Sequence, residues 1–480
     1  MSTSTSNVTS GFIDLATFDE IEKYMYGGSD ATAYFVRETR KATWFTQVPV
    51  VLSRAAGSPA FNTEWSVAIS RAGDYMLQNW LRLTTPNVTL TVTTGTQTVT
   101  IGGVAVSTTV NFFVRWTRNL MHNIIRECNL TFNDLVAARF DNYHLDFWAA
   151  FTVPAGKQNG YNNMIGNIDP LIFPALSLPA STLNLPLPFF YSRDSGVALP
   201  TAALPYNEMR INFSFRDWSD LLIQDFTLTS GAPATAGGQG VPVPLSSIGG
   251  VTPVLGNTQV WANYAIVSND ERKRMACAPR DILIEQVQTA PRQTFNPSPS
   301  GNSFPSFDIR FSHAIKVLFF AVRNTTNKAE WSNYATCSPV VALSGGVPVL
   351  NQYPAASVDP IIETSLVYEN TARLSQMGSD YFSLVNPYYN APVIPNIVGY
   401  HSYSYSLDFI CLDAMGSTNY GKLTNVSIGP NASAGSQLAA AGGGALGSGF
   451  TAAQTYEFII TAVNNNIIRI SGGALGFPVL

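Results

Sequence analysis

Short runs in which apolar and polar residues alternate dominate the chain from residue 64 onward. Alternation with a period of two is typical of strands that bury one face. We therefore predict an all-β protein made of antiparallel strands. The clearest runs are EWSVAIS (64–70), DYMLQNWLRLTT (74–85), IIRECNLTFND (124–134), TQVWANYAIV (258–267), DILIEQVQ (281–288), FDIRFSHAIKVLFFAVRN (307–324), IIETSLVYEN (361–370), YHSYSYSLDFICL (400–412) and YEFIITAVNNNIIRI (456–470).

A helical pattern precedes the strands. In FIDLATFDEIEKYMYGG (12–28), apolar residues recur at helical spacing, and Thr17 and Glu20 have the spacing of a capping box. A short amphipathic helix beside a polar terminus is typical of an arm that docks on a neighbouring molecule, and packing on its own domain is the alternative. We predict an N-terminal arm over residues 1–30.

Two further segments predict short helices inside the β-rich region. FDNYHLDFWAAF (140–151) is apolar enough to cover the end or edge of a sheet, and SNDERKRMA (268–276) has Asn269 as its expected N-cap. A second series of strands begins after the latter helix. We therefore predict a first domain over residues 31–276 and a second over residues 277–480.

The segments between the strands carry turn and edge signals. VTLTVTTGTQTVTIGGVAV (88–106) reads as a protruding hairpin, and ASAGSQLAAAGGGALGSG (432–449) as an exposed loop. LPLPFFYSRDSGVALPTAALPYNEMRI (185–211) repeats Leu-Pro pairs among apolar residues. Proline donates no ladder hydrogen bond, so this segment fits edge strands and long crossing connections whose leucines still reach a core. Two successive β-sandwiches follow, and periodicity alone leaves jelly-roll and immunoglobulin-like topologies open.

The low charge content of the 480-residue chain changes the picture of its surface. Only 12% of the residues are charged, and the formal net charge is -4. Ion-poor surfaces are easily buried against other copies, whereas the negative charge disfavours direct contact with nucleic acid. The sequence lacks a signal-peptide pattern and a long apolar run, so we expect the protein to be made and kept in the cytosol.

Residues that often carry chemistry are present, but their spacing predicts no catalytic, cofactor-binding or metal site. The glycines of a G-x-G-x-x-G match have no entering strand, the histidines stand singly, and the serine lacks the glycines of a nucleophile elbow. We expect the widely spaced cysteines to be reduced thiols. These residues are Gly442, Gly444 and Gly447; His122, His144, His313 and His401; Ser195; and Cys128, Cys277, Cys337 and Cys411.

An alternative function is that of a carbohydrate-binding or glycan-cleaving β-sandwich. Glycan cleavage needs two facing carboxylates, and exposed aromatic rings stack on sugars. The candidate residues are Glu208, Glu285 and Glu363 for the carboxylates, and Tyr388, Tyr389 and Tyr403 for the rings.

Six long segments, in order along nearly the whole chain, resemble the major capsid proteins of iridoviruses, a family of the large nucleocytoplasmic DNA viruses. The segments are FIDLATFDEIEKYMYGGSDATAYFVRE (12–38), LPLPFFYSRDSGVALPTAALPYNEMRI (185–211), NDERKRMACAPRDILIEQVQ (269–288), FSHAIKVLFFAVRN (311–324), GSTNYGKLTN (416–425) and NNNIIRISGGALGFPVL (464–480).

The resemblance implies a double jelly roll, with eight strands in two facing sheets per roll, and a structural function without an enzymatic one. Family members form homotrimers, and these pseudo-hexagonal capsomers associate laterally into an icosahedral shell. The resemblance also implies an internal viral membrane and minor capsid proteins beneath the shell, with the N-terminal arm on that side. It implies no cofactor, and it places the protein in virions assembled in the host cytoplasm.

Overall fold

The computed structural model divides into two units, Met1–Trp44 and Phe45–Leu480. Within the described ranges, no helix is long and apolar enough to cross a membrane. The ranges are 3–26, 35, 38–101, 104–229, 240–297, 306–351, 358–442 and 453–478.

The N-terminal unit contains two helices, α1 (Thr3–Ala16) and α2 (Glu20–Tyr26). The helix predicted near Thr17 is confirmed as α2, but its cap differs from the prediction. Asp19 Oδ1 accepts a hydrogen bond from the Glu20 amide at 2.8 Å, and the Asp19 amide donates to Glu22 Oε2. The Thr17 hydroxyl instead donates to the carbonyl of Asp14, so it serves the end of α1.

The second unit consists mainly of short strands joined by turns and short helices. The strands of its first half are β1 (Phe45–Val51), β2 (Ser53–Gly57), β3 (Glu64–Ala68), β4 (Tyr75–Thr84), β5 (Val88–Thr89), β6 (Thr94–Ile101), β7 (Val104–Trp116), β8 (Ile125–Phe132), β9 (Leu135–Asp141), β10 (Ser177–Leu178), β11 (Thr182–Pro186), β12 (Met209–Phe215), β13 (Leu222–Leu228), β14 (Val241–Pro242) and β15 (Gly256–Val267). Those of its second half are β16 (Arg280–Thr289), β17 (Gln293–Phe295), β18 (Phe307–Asp308), β19 (Ala314–Asn324), β20 (Val340–Ser344), β21 (Val347–Asn351), β22 (Ile361–Tyr368), β23 (Thr371–Gly378), β24 (His401–Ser404), β25 (Thr418–Asn419), β26 (Val426–Ala432), β27 (Tyr456–Ser471) and β28 (Ala474–Gly476). The helices are α3 (Leu120–Ile124), α4 (Asn142–Thr152), α5 (Ala155–Ile165), α6 (Asp169–Ile172), α7 (Asn269–Cys277), α8 (Asn386–Asn390) and α9 (Ala434–Ala441).

Two sheets of the first half form a sandwich with jelly-roll topology. Its long sheet has the order β1-β15-β4-β11, and its short sheet has the order β3-β12-β8-β9, with β2 added beside β3. All neighbouring strands are antiparallel. Without β2, these two sheets contain eight strands. When these eight are numbered in chain order, the long sheet reads 1-8-3-6 and the short sheet reads 2-7-4-5. This order defines the first roll.

The second half repeats the same order. Its long sheet is β16-β27-β19-β24 and its short sheet is β18-β26-β22-β23, which again read 1-8-3-6 and 2-7-4-5. These strands form the second roll. The predicted double jelly roll is therefore confirmed, and the immunoglobulin-like alternative is wrong.

Alternation along the strands accounts for the two principal cores. In β4, Leu81 and Leu83 are buried in the first core, whereas Trp80 and Arg82 lie on the other face of the long sheet. The second core contains Phe458 and other residues of the second roll. β27 contributes to both cores, because the side chains nearer its C-terminal end, such as Ile470, join the first one.

The Leu-Pro segment behaves as its composition predicts. It begins in β11, which ends at Pro186 on the edge of the first long sheet. Leu185, Leu187 and Phe189 are buried in the first core. The chain then crosses to β12 through 3-10 turns. Pro186 therefore ends a strand that lies at the sheet edge, where one side has no neighbouring strand that would need its missing amide.

One predicted strand is largely wrong. In 400–412, only β24 is a strand. A strand through the whole run would place Tyr403 and Leu407 on one face, but Tyr403 is buried and Leu407 is 71% exposed. Ser404 Oγ donates to the carbonyl of Ser406 and accepts from the Ser406 amide. These local bonds satisfy the backbone without a partner strand, so they end the ladder.

Three other predictions differ locally from the structure. The run 307–324 is divided between two sheets, because His313 has a left-handed φ of 63° between β18 and β19. Ser268, not Asn269, occupies the N-cap position of α7. The predicted exposed loop begins as α9, whose cap Ser433 accepts a hydrogen bond from the Ser436 amide. The predicted hairpin is present as β6 and β7.

Candidate functional site

The first notable surface is the one through which the two rolls pack together. Helix α4 follows β9 of the first roll and lies against the outer face of the second roll's long sheet. Phe147 and Phe151 stack on Phe319, the sixth residue of β19, with ring centroids 5.9 Å and 5.4 Å away. The 140–151 segment was predicted to cover the end or edge of a sheet, but it covers the face of one.

A buried charge cluster reinforces this junction. Arg115 of β7 is completely buried, and its Nε lies 2.5 Å from Asp225 Oδ2 on β13. The same guanidinium contacts Glu330, which lies beyond β19 in the second half. Burial alone lowers the pKa of Arg115, but the two carboxylates reverse this and raise it. The cluster ties the two halves together, because losing either partner leaves a buried charge uncompensated.

A second buried ion pair accounts for one of the glycan-cleaving candidates. Glu285 of β16 accepts a hydrogen bond from Lys316 Nζ at 2.5 Å, and it also pairs with Arg193. Burial, followed by the charge of Arg193, lowers the pKa of Lys316 to about 8. Lys316 also donates to the carbonyl of Cys411. Glu285 therefore serves the packing of the rolls.

Two histidines have acidic partners that sequence spacing did not reveal. His122 Nδ1 lies 2.7 Å from Asp146 Oδ1, and its Nε2 lies 2.6 Å from the hydroxyl of Tyr161. The other oxygen of Asp146 accepts hydrogen bonds from Ser332 and Tyr334. Ser332 thus contacts the carboxylate and not the imidazole, so the cluster does not have the order of a Ser-His-Asp relay.

The second histidine cluster has a different geometry with the same implication. His401 Nε2 lies 2.7 Å from Asp359 Oδ2 and 2.8 Å from the hydroxyl of Ser379. A relay needs the acid and the nucleophile on opposite ring nitrogens, whereas here both are at one nitrogen. Burial raises the pKa of Asp359, but contact with His401, together with hydrogen bonds from the Ile361 amide and the Ser379 hydroxyl, makes the net shift downward.

The other two candidate carboxylates and the candidate serine lie in different parts of the structure. Glu208 precedes β12 of the first roll and pairs with Arg210, whereas Glu363 on the second roll's short sheet accepts a hydrogen bond from Asn431. Ser195 is exposed at the start of a 3-10 turn. The structure gives these groups separate surroundings.

The glycine motif is only partly described, and the cysteines form no disulfide among the described residues. Gly442 ends α9, and Gly444 and Gly447 fall outside the described residues. The cysteines are free thiols, two of them buried. Across the ranges that the structure describes, no group of three or more histidine, cysteine, aspartate or glutamate side chains is placed to hold a metal ion.

A groove of about 790 Å³ lies beside α4 and α5. Its lining includes Trp148, Lys157, Tyr161 and Arg193, and no acidic side chain among the described residues lines it. Glycan cleavage requires two carboxylates, so this groove lacks the necessary groups. Of the proposed sugar-stacking rings, Tyr403 is buried, whereas Tyr388 and Tyr389 are exposed.

An apolar row crosses the outer face of the first roll's long sheet. Trp80 of β4 pairs with Trp261 of β15, and their rings stack with centroids 6.2 Å apart. Val51 flanks Trp261 on one side and Pro186 flanks Trp80 on the other, so the row spans the four strands. Both tryptophans are half-buried and both flanking residues are exposed. Stacked aromatic side chains at a solvent-facing surface are typical of an interaction site.

The fold has counterparts among solved viral shell proteins. A quasi-atomic model of the PBCV-1 virus capsid matches with a TM-score of 0.69 at 20% identity, covering 93% of this chain and 100% of that chain. The Faustovirus major capsid protein matches with a TM-score of 0.65 at 13% identity, covering 94% and 96%. The chain thus shares the double jelly-roll fold of these proteins.

Sequence comparison gives the family. Residues 33–267 match the model for the major capsid protein N-terminus, and residues 271–476 match that for the large eukaryotic DNA virus major capsid protein. The major capsid protein of Costelytra zealandica iridescent virus is 64% identical, with 100% of both chains covered. That of Frog virus 3 is 46% identical, with 99% of both chains covered. The chain belongs to the major capsid protein family of the iridescent viruses.

Membership of this family establishes the general function. The relatives are structural major capsid proteins, so the chain is a structural shell subunit of a large DNA virus and not an enzyme. The predicted family is confirmed. The absence of catalytic, cofactor-binding and metal residues stays a prediction.

Proposed function

We propose that this chain forms homotrimers that act as pseudo-hexagonal capsomers and associate laterally into an icosahedral shell. The observation that carries the proposal is the identical strand order of the two rolls. Three copies of a chain with two similar rolls supply six similar building units around one axis, and a cyclic arrangement of three copies closes on itself.

The surface chemistry supports extensive self-association. Charged residues make up only 12% of the chain, so few ions need to be desolvated when copies meet. Many modest contacts, repeated by symmetry, stabilise a lattice while each contact remains weak enough to be corrected during assembly. The proposal includes minor capsid proteins and an internal viral membrane beneath the shell, and assembly in the host cytoplasm.

The trimer is tested by measuring the mass of the purified full-length protein. Native mass spectrometry and sedimentation at micromolar concentration are expected to give three times the 51.9 kDa chain mass. A correctly folded protein that stays at the single-chain mass under these conditions contradicts the proposal. Electron micrographs of the same sample should show particles with a nearly sixfold outline.

A further inference from the structure

The two rolls present equivalent positions at the centre of their long sheets. In the first roll, Trp80 is the sixth residue of β4 and pairs with Trp261, the sixth residue of β15. In the second roll, Phe319 is the sixth residue of β19 and pairs with Thr461, the sixth residue of β27. These strands are third and eighth in both rolls. The two pairs therefore occupy the same place in the fold.

The position is covered in only one of the two rolls. In the second roll, Phe319 is fully buried beneath Phe147 and Phe151 of α4. In the first roll, Trp80 and Trp261 remain half-buried. The same sheet face is thus closed by a helix within the chain in one roll and remains partly exposed in the other.

The second roll has a helical segment at the equivalent place along the chain, and part of that segment is exposed. Helix α4 follows β9, the fifth strand of the first roll, and a π turn over Tyr381–Val385 continuing into α8 follows β23, the fifth strand of the second. Phe147 and Phe151 lie six and ten residues beyond the end of β9. Leu384 and Tyr388 lie six and ten residues beyond the end of β23.

Leu384 and Tyr388 are exposed, as expected for residues whose contact partner lies on another copy of the chain. Leu384 is 51% exposed and Tyr388 is 69% exposed, and the adjacent Val385 and Tyr389 are exposed as well. These large side chains form an exposed projection on consecutive turns, in which the rings of Tyr388 and Tyr389 contact each other. The segment corresponds to α4 in its place after the fifth strand and in the spacing of these two residues, although its first turn is a π-helix.

We propose that the helical segment 381–390 of one copy packs on the Trp80–Trp261 face of a second copy, as α4 packs on Phe319 within the chain. The inference rests on the proposed trimer and names its contact surfaces. The contact is heterologous, because the two surfaces differ, and alternation of first and second rolls closes a ring when three copies have joined. Buried tryptophan and tyrosine side chains are the residues that contribute most to such interfaces.

The first experiment disrupts each surface separately in the full-length protein. Trp80→Arg and Tyr388→Arg place a charge in the proposed contact, so each is expected to raise the concentration for half-trimerisation by at least about tenfold. Leu407→Arg is the control matched to Tyr388→Arg, because Leu407 is 71% exposed, close to the 69% of Tyr388, but lies outside both surfaces. It should leave the trimer intact. Circular dichroism and thermal unfolding establish that each variant is folded.

A second measurement does not depend on a disruptive variant. A photoreactive phenylalanine analogue in place of Tyr388 is expected to cross-link between chains, to peptides that contain Trp80 or Trp261. Cross-links confined to other regions of the neighbouring chain overturn the inference, and so does unchanged trimerisation of both arginine variants.

The results separate this inference from the proposed function. A wild-type protein that is monomeric contradicts the trimer itself. A trimeric wild-type protein whose arginine variants are equally trimeric contradicts only the assignment of these surfaces.

Discussion

At the scale of single residues, His144 shows how burial sets the charge state of a side chain in this fold. It lies in α4, fully buried, between the rings of Phe140 and Trp148. Burial, assisted by the positive charge of Arg193, lowers its pKa from 6.5 to about 3. The imidazole is therefore neutral in the folded protein at physiological pH.

This shift predicts an acid-sensitive stability. The unfolded chain binds the proton as the pH falls below 6.5, whereas the folded chain binds it only near pH 3. Stability present above pH 6.5 is thus lost on acidification, at up to about 1.4 kcal/mol per pH unit. His144→Phe keeps an aromatic ring but removes the titrating imidazole, and with it this loss of stability in acid. Urea unfolding at pH 7.5 and pH 5 should show a smaller loss for the variant, and equal losses contradict the assignment.

The pairing of buried charged and polar side chains was the feature least predictable from sequence. Arg115 and its partner Asp225 are 110 residues apart, and Glu330 is 215 residues from Arg115. His122 and Asp146 are likewise brought together only by packing. A local pattern does not encode such pairs, because they depend on which faces of distant strands meet.

At the scale of elements, alternation predicted the strands well where a core determined it. β3 alternates between buried and less buried residues, and β4 and β8 do so with one interruption each, as the sequence predicts. Alternation failed around Ser404 because side-chain hydrogen bonds replaced the ladder. Alternation also gave no indication of which helix would cover which sheet, since α4 and the 381–390 segment are both apolar, but among the described residues α4 packs on the other roll whereas Leu384 and Tyr388 stay exposed.

The packing of α4 gives a prediction for this scale. Phe319→Ala removes the ring on which two phenylalanines of α4 stack, and the resulting cavity is expected to cost about 3–5 kcal/mol in the free energy of unfolding. Val251→Ala shortens an apolar side chain that is 73% exposed, so it should change stability by less than about 0.5 kcal/mol. Chemical denaturation of both variants measures the difference, and similar midpoints contradict the importance of the contact.

At the scale of the whole molecule, the second unit is held together by more than the proximity of two rolls. Helix α4 belongs to one roll and buries its aromatic face on the other. The first core includes Ile284, Ile468 and Ile470, which lie beyond the predicted boundary after residue 276. Each roll therefore depends on side chains from the other half of the chain.

We predict that the halves 1–276 and 277–480 do not fold when expressed separately. The first would expose Phe147 and Phe151 and leave Arg115 without Glu330, and the second would leave Phe319 uncovered. Co-expression should restore a soluble complex with a cooperative thermal transition. A cooperative transition in either isolated half contradicts the prediction and supports independent domains.

The position of β27 in the sheet means that the second roll cannot be completed until the end of synthesis. β27 lies between β16 and β19 in the second long sheet, so neither neighbour has its central hydrogen-bonding partner until residues 456–471 have left the ribosome. An unfinished polypeptide thus keeps an open sheet and an incomplete core. A prematurely terminated product lacks the central strand of this sheet. It therefore cannot take the same shape as the full-length copies around it.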